Sequence, residues 1–86
     1  MKLITLYTKP GCHLCESVEQ VIDRVVSRRT CAVQKRNIED DPADFQKYQF
    51  DIPVVLVDGK EIARHRLTVA ELNAALDAAG RSFTPR

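Results

Sequence analysis

Two cysteines three positions apart, Cys12 and Cys15, are the residues of this chain whose type and spacing are best suited to chemistry. They follow a Pro-Gly turn signal in the segment KPGCHLC. Two thiols at this spacing can exchange a disulfide with a substrate, supply two ligands to a metal, or fill a core as small apolar groups. The elements and charges around the pair distinguish these alternatives.

The charges near Cys12 favour a reactive thiolate. A thiol in the first turn of a helix faces unpaired backbone N–H groups and the positive end of the helix dipole, which lower a cysteine pKa from about 8.5 to about 3.5–7.5. Lys9 adds a positive charge, and a protonated His13 would add another and make the pair more oxidising, whereas Glu16 opposes both. An exposed His13 without a role is the alternative. Cys15, one turn later beside an apolar stripe, is predicted to be the more buried, resolving thiol.

The metal interpretations fit less well. Cys12, Cys15 and Cys31 match three positions of a zinc pattern, but Gln34 at the fourth position is not a ligand. A helix at about 1.5 Å per residue would separate Cys31 from the pair by more than about 20 Å. Covalent haem attachment requires histidine where Glu16 stands. No metal site is therefore predicted, and an inert buried pair is disfavoured because the Pro-Gly turn should expose Cys12.

The spacing of apolar residues predicts the order strand, helix, strand, helix, strand, strand, helix. The strands are predicted at residues 2–8, 31–38, 52–57 and 60–65, and the helices begin at Cys12, Asp41 and Thr68. The first strand–helix–strand unit should be parallel, and Asp58-Gly59 is a strong hairpin signal. The chain is therefore predicted to form an α/β fold, a four-stranded mixed sheet flanked by three helices.

Each predicted helix has an apolar face and recognisable ends. The residues predicted to face the core are Leu14, Val18, Val21, Ile22, Val25 and Val26 in the first helix, Phe45 and Tyr48 in the second, and Val69, Leu72, Leu76 and Ala79 in the third. The end signals are an N-cap at Asp41 with Pro42 behind it, a capping box from Thr68 to Glu71, and Gly80 as a closing glycine.

Two further segments carry expectations of their own. The polar strand 31–38 is predicted at a sheet edge, with Cys31 as a small apolar residue or, alternatively, a regulatory or dimer-forming thiol. The short basic cluster Arg64-His65-Arg66 is predicted to be a solvated strand end. Neither segment predicts a second functional site.

Length and composition limit the function classes. The chain of 86 residues is expected to form one domain over residues 1–80 with a tail at 81–86. Its net charge is +1 without long runs of like charge, which argues against a nucleic-acid or membrane surface. No apolar run approaches the roughly 20 residues of a membrane span, and the N-terminal segment lacks a signal-peptide pattern. A monomeric, cytoplasmic protein with reduced thiols is therefore expected.

The segments YTKPGCHLCE and DIPVVLVDG, together with the order of elements, resemble the glutaredoxin branch of the thioredoxin superfamily, in particular small glutaredoxin-like proteins with a C-x-x-C pair. The resemblance covers residues 2–79 and implies a thioredoxin-like fold. It also implies that Cys12 is the nucleophile, that Cys15 resolves, that Pro53 is a cis-proline beside them, and that the backbone of Ile52 pairs with a bound peptide or glutathione.

One departure from typical glutaredoxins concerns glutathione. Their glycine pair and acidic pair before the last helix are replaced here by the segment from Arg64 to Thr68. Lys9 is still in place for the glycyl carboxylate, and the helix start at Thr68 offers N–H donors. Weak glutathione recognition is therefore predicted.

The predicted function is thiol–disulfide exchange, with a role in electron transfer and cell redox homeostasis. The expected partners are protein disulfides or glutathione as co-substrate, without a resident cofactor. Two alternatives remain open at this stage. One is a dimer that carries an iron–sulfur cluster between Cys12 residues and two glutathiones, and the other is a redox-inactive module that binds peptides at Pro53.

Overall fold

The computed structural model describes residues 2–81, with four strands and three α-helices in the predicted order. The strands are β1 (Lys2–Thr8), β2 (Cys31–Asn37), β3 (Val54–Val57) and β4 (Lys60–Arg64). The helices are α1 (His13–Val26), α2 (Pro42–Tyr48) and α3 (Val69–Arg81), and a short 3₁₀ turn covers Ile38–Asp40. The sheet order is β2-β1-β3-β4, with β1–β2 parallel and the other two pairs antiparallel. The predicted α/β fold, a four-stranded mixed sheet with three helices, is confirmed.

The core occupies both faces of the sheet because β1 is central. Ile4 and Leu6, two residues apart, both point to the face on which α1 and α3 pack. Burial of each such side chain contributes about 1.5–3 kcal/mol to the stability of the fold. Tyr7 points to the other face, where the ring of Tyr48 from α2 stacks on it at 4.4 Å between centroids. No described helix is both long enough and apolar enough to cross a membrane.

Two of the predicted signals, the N-cap at Asp41 and the Asp58-Gly59 turn, operate as expected. Asp41 accepts a hydrogen bond from the Ala43 amide at 2.8 Å, which caps α2. At the hairpin, Asp58 and Gly59 have φ of 50° and 85°, as a type I′ turn requires. Asp58 also exchanges two hydrogen bonds of 2.8 Å with the backbone of Leu3, through its amide and its carboxylate. The hairpin is thereby fixed to the start of β1.

Two residues that were predicted to face the core do not. Leu14 is 46% exposed because the buried stripe of α1 runs through Cys15, Val18, Ile22 and Val25, which leaves Leu14 at its margin. Phe45 is 36% exposed. The inward positions of α2 are Asp44, half-buried, and Tyr48, one turn later, and Phe45 is rotated from them by about 100° and about 60° around the helix axis.

Several predicted boundaries also need correction. β2 ends at Asn37 rather than residue 38, because Ile38 begins the 3₁₀ turn and is fully buried on the α2 side. β3 begins at Val54 rather than residue 52, since Pro53 has no N–H for the ladder. α3 continues through Gly80 to Arg81. The side chain of Ala79 and the predicted tail beyond Arg81 lie outside the described part of the chain.

Candidate active site

A tight turn carries the chain from β1 into the cysteine pair. The Cys12 amide donates to the Lys9 carbonyl at 3.3 Å, and Gly11 has φ of +80°. Proline followed by a residue with positive φ is the pattern of a type II turn, and glycine adopts that conformation without a Cβ penalty. The sequence KPGC therefore positions Cys12 at the entrance of α1.

Cys12 is the N-cap of α1 through its sulfur. Its backbone is extended (φ −91°, ψ 109°), and its Sγ accepts a hydrogen bond from the Cys15 amide at 3.1 Å. N-cap residues normally use an oxygen to satisfy one of the free amides at a helix start. An N–H directed at sulfur from the positive end of a helix favours the thiolate over the thiol.

The two cysteines differ in accessibility. Their Sγ atoms are within disulfide distance, and their Cα atoms are 5.2 Å apart, inside the range that a disulfide needs. Cys12 is half-buried, whereas Cys15 is 1% exposed beneath the first turn of α1. The predicted difference in burial is present. Cys31 begins β2 opposite Lys2, at the end of the parallel pair away from Cys12, so the three cysteines are not brought together.

The two residues predicted to tune the thiolate, Lys9 and His13, both lie in the segment that surrounds Cys12. Lys9 is half-buried, and its carbonyl closes the turn. The side chain of His13 is 95% exposed, and its Nδ1 is 3.7 Å from the carboxylate of Glu16. At that exposure, solvent screens the interaction between His13 and Glu16. The effect of Lys9 and His13 on Cys12 stays a prediction.

The loop of residues 50–53, called the Pro53 loop from here on, directly precedes β3. The Ile52-Pro53 bond is cis, as predicted, and Pro53 is buried. Val54, directly after the loop, pairs with Tyr7, two residues before Lys9. The strand pairing therefore brings the predicted substrate loop and the cysteine pair to the same end of the sheet.

The predicted substrate contacts at Ile52 and Thr68 stay predictions. The structure shows which of their backbone groups already make hydrogen bonds within the protein. The Ile52 amide donates to the Tyr48 carbonyl at 3.1 Å. Outside the helices and strands of residues 2–81, no backbone hydrogen bond reaches the Ile52 carbonyl. At the start of α3, the Thr68 amide donates to Glu71 at 2.9 Å and the Glu71 amide donates to Thr68 Oγ1 at 3.1 Å. This capping box uses two donors at the helix start.

The model of the family described as glutaredoxin-like domain (DUF836) matches residues 3–77. The chain belongs to this family. The glutaredoxin-like protein YDR286C homolog of Dictyostelium discoideum is 33% identical over 70 residues, which span 74% of this chain but 65% of that relative. The target protein XcR50 from X. campestris is 30% identical, with a TM-score of 0.74 over 87% of this chain and 96% of that one.

A more distant solved structure, chloroplastic thioredoxin z, is 13% identical but has a TM-score of 0.77 over 93% of this chain and 79% of its own. At that identity the likeness concerns the fold alone. The predicted thioredoxin-like fold of this glutaredoxin-like domain is confirmed.

Within this glutaredoxin-like domain, the basic cluster is an exposed strand end, as predicted, but two of its residues also contact the Pro53 loop. The Nη1 of Arg64 is 3.0 Å from the carboxylate of Asp51 in the Pro53 loop. The His65 ring Nε2 is 3.3 Å from the Phe50 carbonyl, and the His65 amide donates to the Pro53 carbonyl at 2.8 Å. Arg64 and His65 are exposed, yet both are bound to the loop.

The hairpin contained a signal for these contacts. Counting pairs outward from the two-residue turn places the end of β4 opposite Pro53, although an irregularity between Val55 and Leu56 shifts the register by one residue.

Arg64 also donates to Glu61 through Nε, and through Nη2 at 3.1 Å. These bonds lower the pKa of the Glu61 carboxyl and raise the pKa of Arg64.

Proposed function

We propose that this glutaredoxin-like domain is a thiol–disulfide oxidoreductase in which Cys12 attacks and Cys15 resolves. The observation that carries the proposal is the N-cap geometry of Cys12, whose Sγ accepts the Cys15 amide at 3.1 Å and lies within disulfide distance of the buried Cys15. An accessible, stabilised thiolate beside a protected second thiol is what dithiol exchange requires. A family name by itself would not assign these roles.

The proposed reaction has two exchange steps. The Cys12 thiolate attacks one sulfur of a substrate disulfide, so that a mixed disulfide forms and the other substrate sulfur leaves as a thiolate that takes up a proton. Cys15 then loses its proton to solvent and attacks the Cys12 sulfur, which releases the second substrate thiol. The substrate gains two electrons and two protons. The Cys12–Cys15 disulfide is finally reduced by two external thiols, which are oxidised to a disulfide, and no resident cofactor is needed.

The substrate is proposed to dock on the Pro53 loop. The Ile52 carbonyl would accept a backbone N–H from an extended peptide, in the manner of strand addition. Protein disulfides are the proposed main partners. Glutathione is a poorer one, held by Lys9 and the helix start at Thr68. The reduced state that this chemistry begins from is maintained in the cytoplasm, which is the proposed location. The working unit is proposed to be the monomer.

Three serine variants test the proposal on one reduced preparation. Cys12→Ser should abolish reduction of a peptide disulfide, because the nucleophile is lost. Cys15→Ser should stop turnover after one exchange, with the substrate held on Cys12. Cys31→Ser is the matched control and should keep the wild-type rate, since Cys31 lies at the other end of the β1–β2 pair. Continued turnover in Cys12→Ser would refute the assignment of the nucleophile.

A further inference from the structure

Three contacts connect the end of β4 to the Pro53 loop. The Arg64 guanidinium pairs with Asp51 at 3.0 Å, the His65 ring lies 3.3 Å from the Phe50 carbonyl, and the His65 amide donates to the Pro53 carbonyl at 2.8 Å. Because a carbonyl only accepts, the His65 Nε2 must carry a proton in this contact. Two side chains and one amide therefore hold almost the whole loop from one side.

We propose that Arg64 and His65 are positioning residues, which hold the Pro53 loop in the conformation that binds a disulfide substrate. The inference rests on the proposed function. It assigns a role to the segment from Arg64 to Thr68, which replaces the glycine and acidic pairs of typical glutaredoxins. Neither residue is assigned a contact with the reacting sulfur atoms.

The first residue of the loop depends on these polar contacts because apolar packing does little for it, whereas Ile52 packs against the core on the α2 side and Pro53 is buried. Phe50 is 84% exposed, so its side chain does not anchor the backbone. On the α2 side, the Tyr48 carbonyl accepts the amides of Asp51 and Ile52 at 2.8 and 3.1 Å. The contacts from Arg64 and His65 reach the same segment from the end of β4. Together the two sets fix the direction of the Ile52 carbonyl that the substrate is proposed to meet.

The backbone of His65 supports a positioning role over a simple contribution to stability. Its φ is +67°, a left-handed conformation that is uncommon for residues other than glycine and costs free energy. Strained backbone of this kind persists where surrounding contacts demand it. Here the strained residue brings its ring to the Phe50 carbonyl and its amide to the Pro53 carbonyl, both within the loop.

The test compares a neutral peptide disulfide, which must dock on the loop, with 2-hydroxyethyl disulfide, which is too small to need it. In His65→Asn, asparagine tolerates the left-handed backbone but is too short to reach Phe50. In Arg64→Gln, the pair with Asp51 is lost. Each variant should raise KM for the peptide about three- to tenfold, the size expected from one exposed polar contact, with kcat within about twofold of wild type. The rate with the small disulfide should not change.

The controls separate positioning from a general loss of structure. Arg66→Gln removes the neighbouring charge and Glu61→Gln removes the second partner of Arg64, and both should keep the wild-type KM. His65→Gln, with a longer amide that can donate to the Phe50 carbonyl, should recover part of the affinity. Asp51→Asn and Arg64→Gln should be non-additive in KM, as expected for groups in contact.

Two results would overturn the positioning role. One is an unchanged peptide KM in both His65→Asn and Arg64→Gln. The other is an equal loss of activity towards the two disulfides together with a lower melting temperature. Failure of the proposed function itself is distinguishable from these results, because wild-type protein would then reduce neither disulfide.

Discussion

The selective reactivity of Cys12 follows from its position as an N-cap. We expect iodoacetamide at about pH 6 to alkylate Cys12 in the fully reduced protein well before Cys31. A charge-assisted hydrogen bond from the Cys15 amide contributes about 1.5–3 kcal/mol to the thiolate form. The helix N-terminus contributes about 0.3–1 kcal/mol more. Together, about 2–4 kcal/mol raises the thiolate-to-thiol ratio by roughly 30- to 700-fold, at about 1.4 kcal/mol per factor of ten.

The gain in alkylation rate is smaller than the gain in thiolate. A stabilised thiolate is a weaker nucleophile, which cancels about half of the effect on a logarithmic scale. The expected preference for Cys12 over Cys31 is therefore roughly 5- to 30-fold. Cys15 should be the slowest of the three, because it is buried beneath α1.

Quenched time courses followed by peptide mass spectrometry measure the three rates separately. Concentrated urea is the control, since unfolding removes the helix start and should make the three cysteines react alike. Glu16→Gln should increase the preference, because it removes a negative charge one turn from Cys12. Equal labelling of Cys12 and Cys31 in the folded protein, or a preference that survives in urea, would refute the reasoning.

Three further predictions concern glutathione recognition and stability. Turnover of a glutathione mixed disulfide should be about tenfold or more below that of small dithiol substrates in a steady-state assay, since each missing charge-assisted hydrogen bond costs about 1.5–3 kcal/mol; equal turnover would contradict this. Gly59→Ala should lower the free energy of unfolding in urea by about 1–2 kcal/mol, because the position has φ of 85° while a Cβ would meet no atom within 4 Å. Ile22→Ala should lower it by about 2–5 kcal/mol by leaving a cavity in the core between α1 and the sheet, and a loss below about 1 kcal/mol would show that the site collapses freely.

The parts of the fold that the sequence predicts are those with local signals. Asp58-Gly59 specifies its turn through φ values that few other residues accept, and the capping box from Thr68 to Glu71 satisfies its own amides. The site entrance is local in the same sense, because the turn and the N-cap are both made within residues 9–15. These interactions do not depend on the rest of the chain.

The parts that the sequence does not predict depend on contacts between distant segments. A stripe of apolar residues shows which face of a helix is buried but not how wide the buried face is. Leu14 and Phe45 therefore look like core residues in the sequence but are partly exposed in the structure. The contacts of Arg64 and His65 depend on the register of β3 with β4, and the irregularity at Val55 shifts that register. Charged residues at a strand end look the same in a sequence whether or not a loop lies beside them.

Trapping the mixed disulfide tests the central claim, that Cys12 attacks a substrate disulfide and Cys15 resolves it. Reduced Cys15→Ser protein is mixed with a peptide disulfide, quenched with acid, and analysed as an intact mass and after digestion. The account predicts one peptide per protein, bound to Cys12. No adduct, or an adduct on Cys31 in place of Cys12, would contradict it.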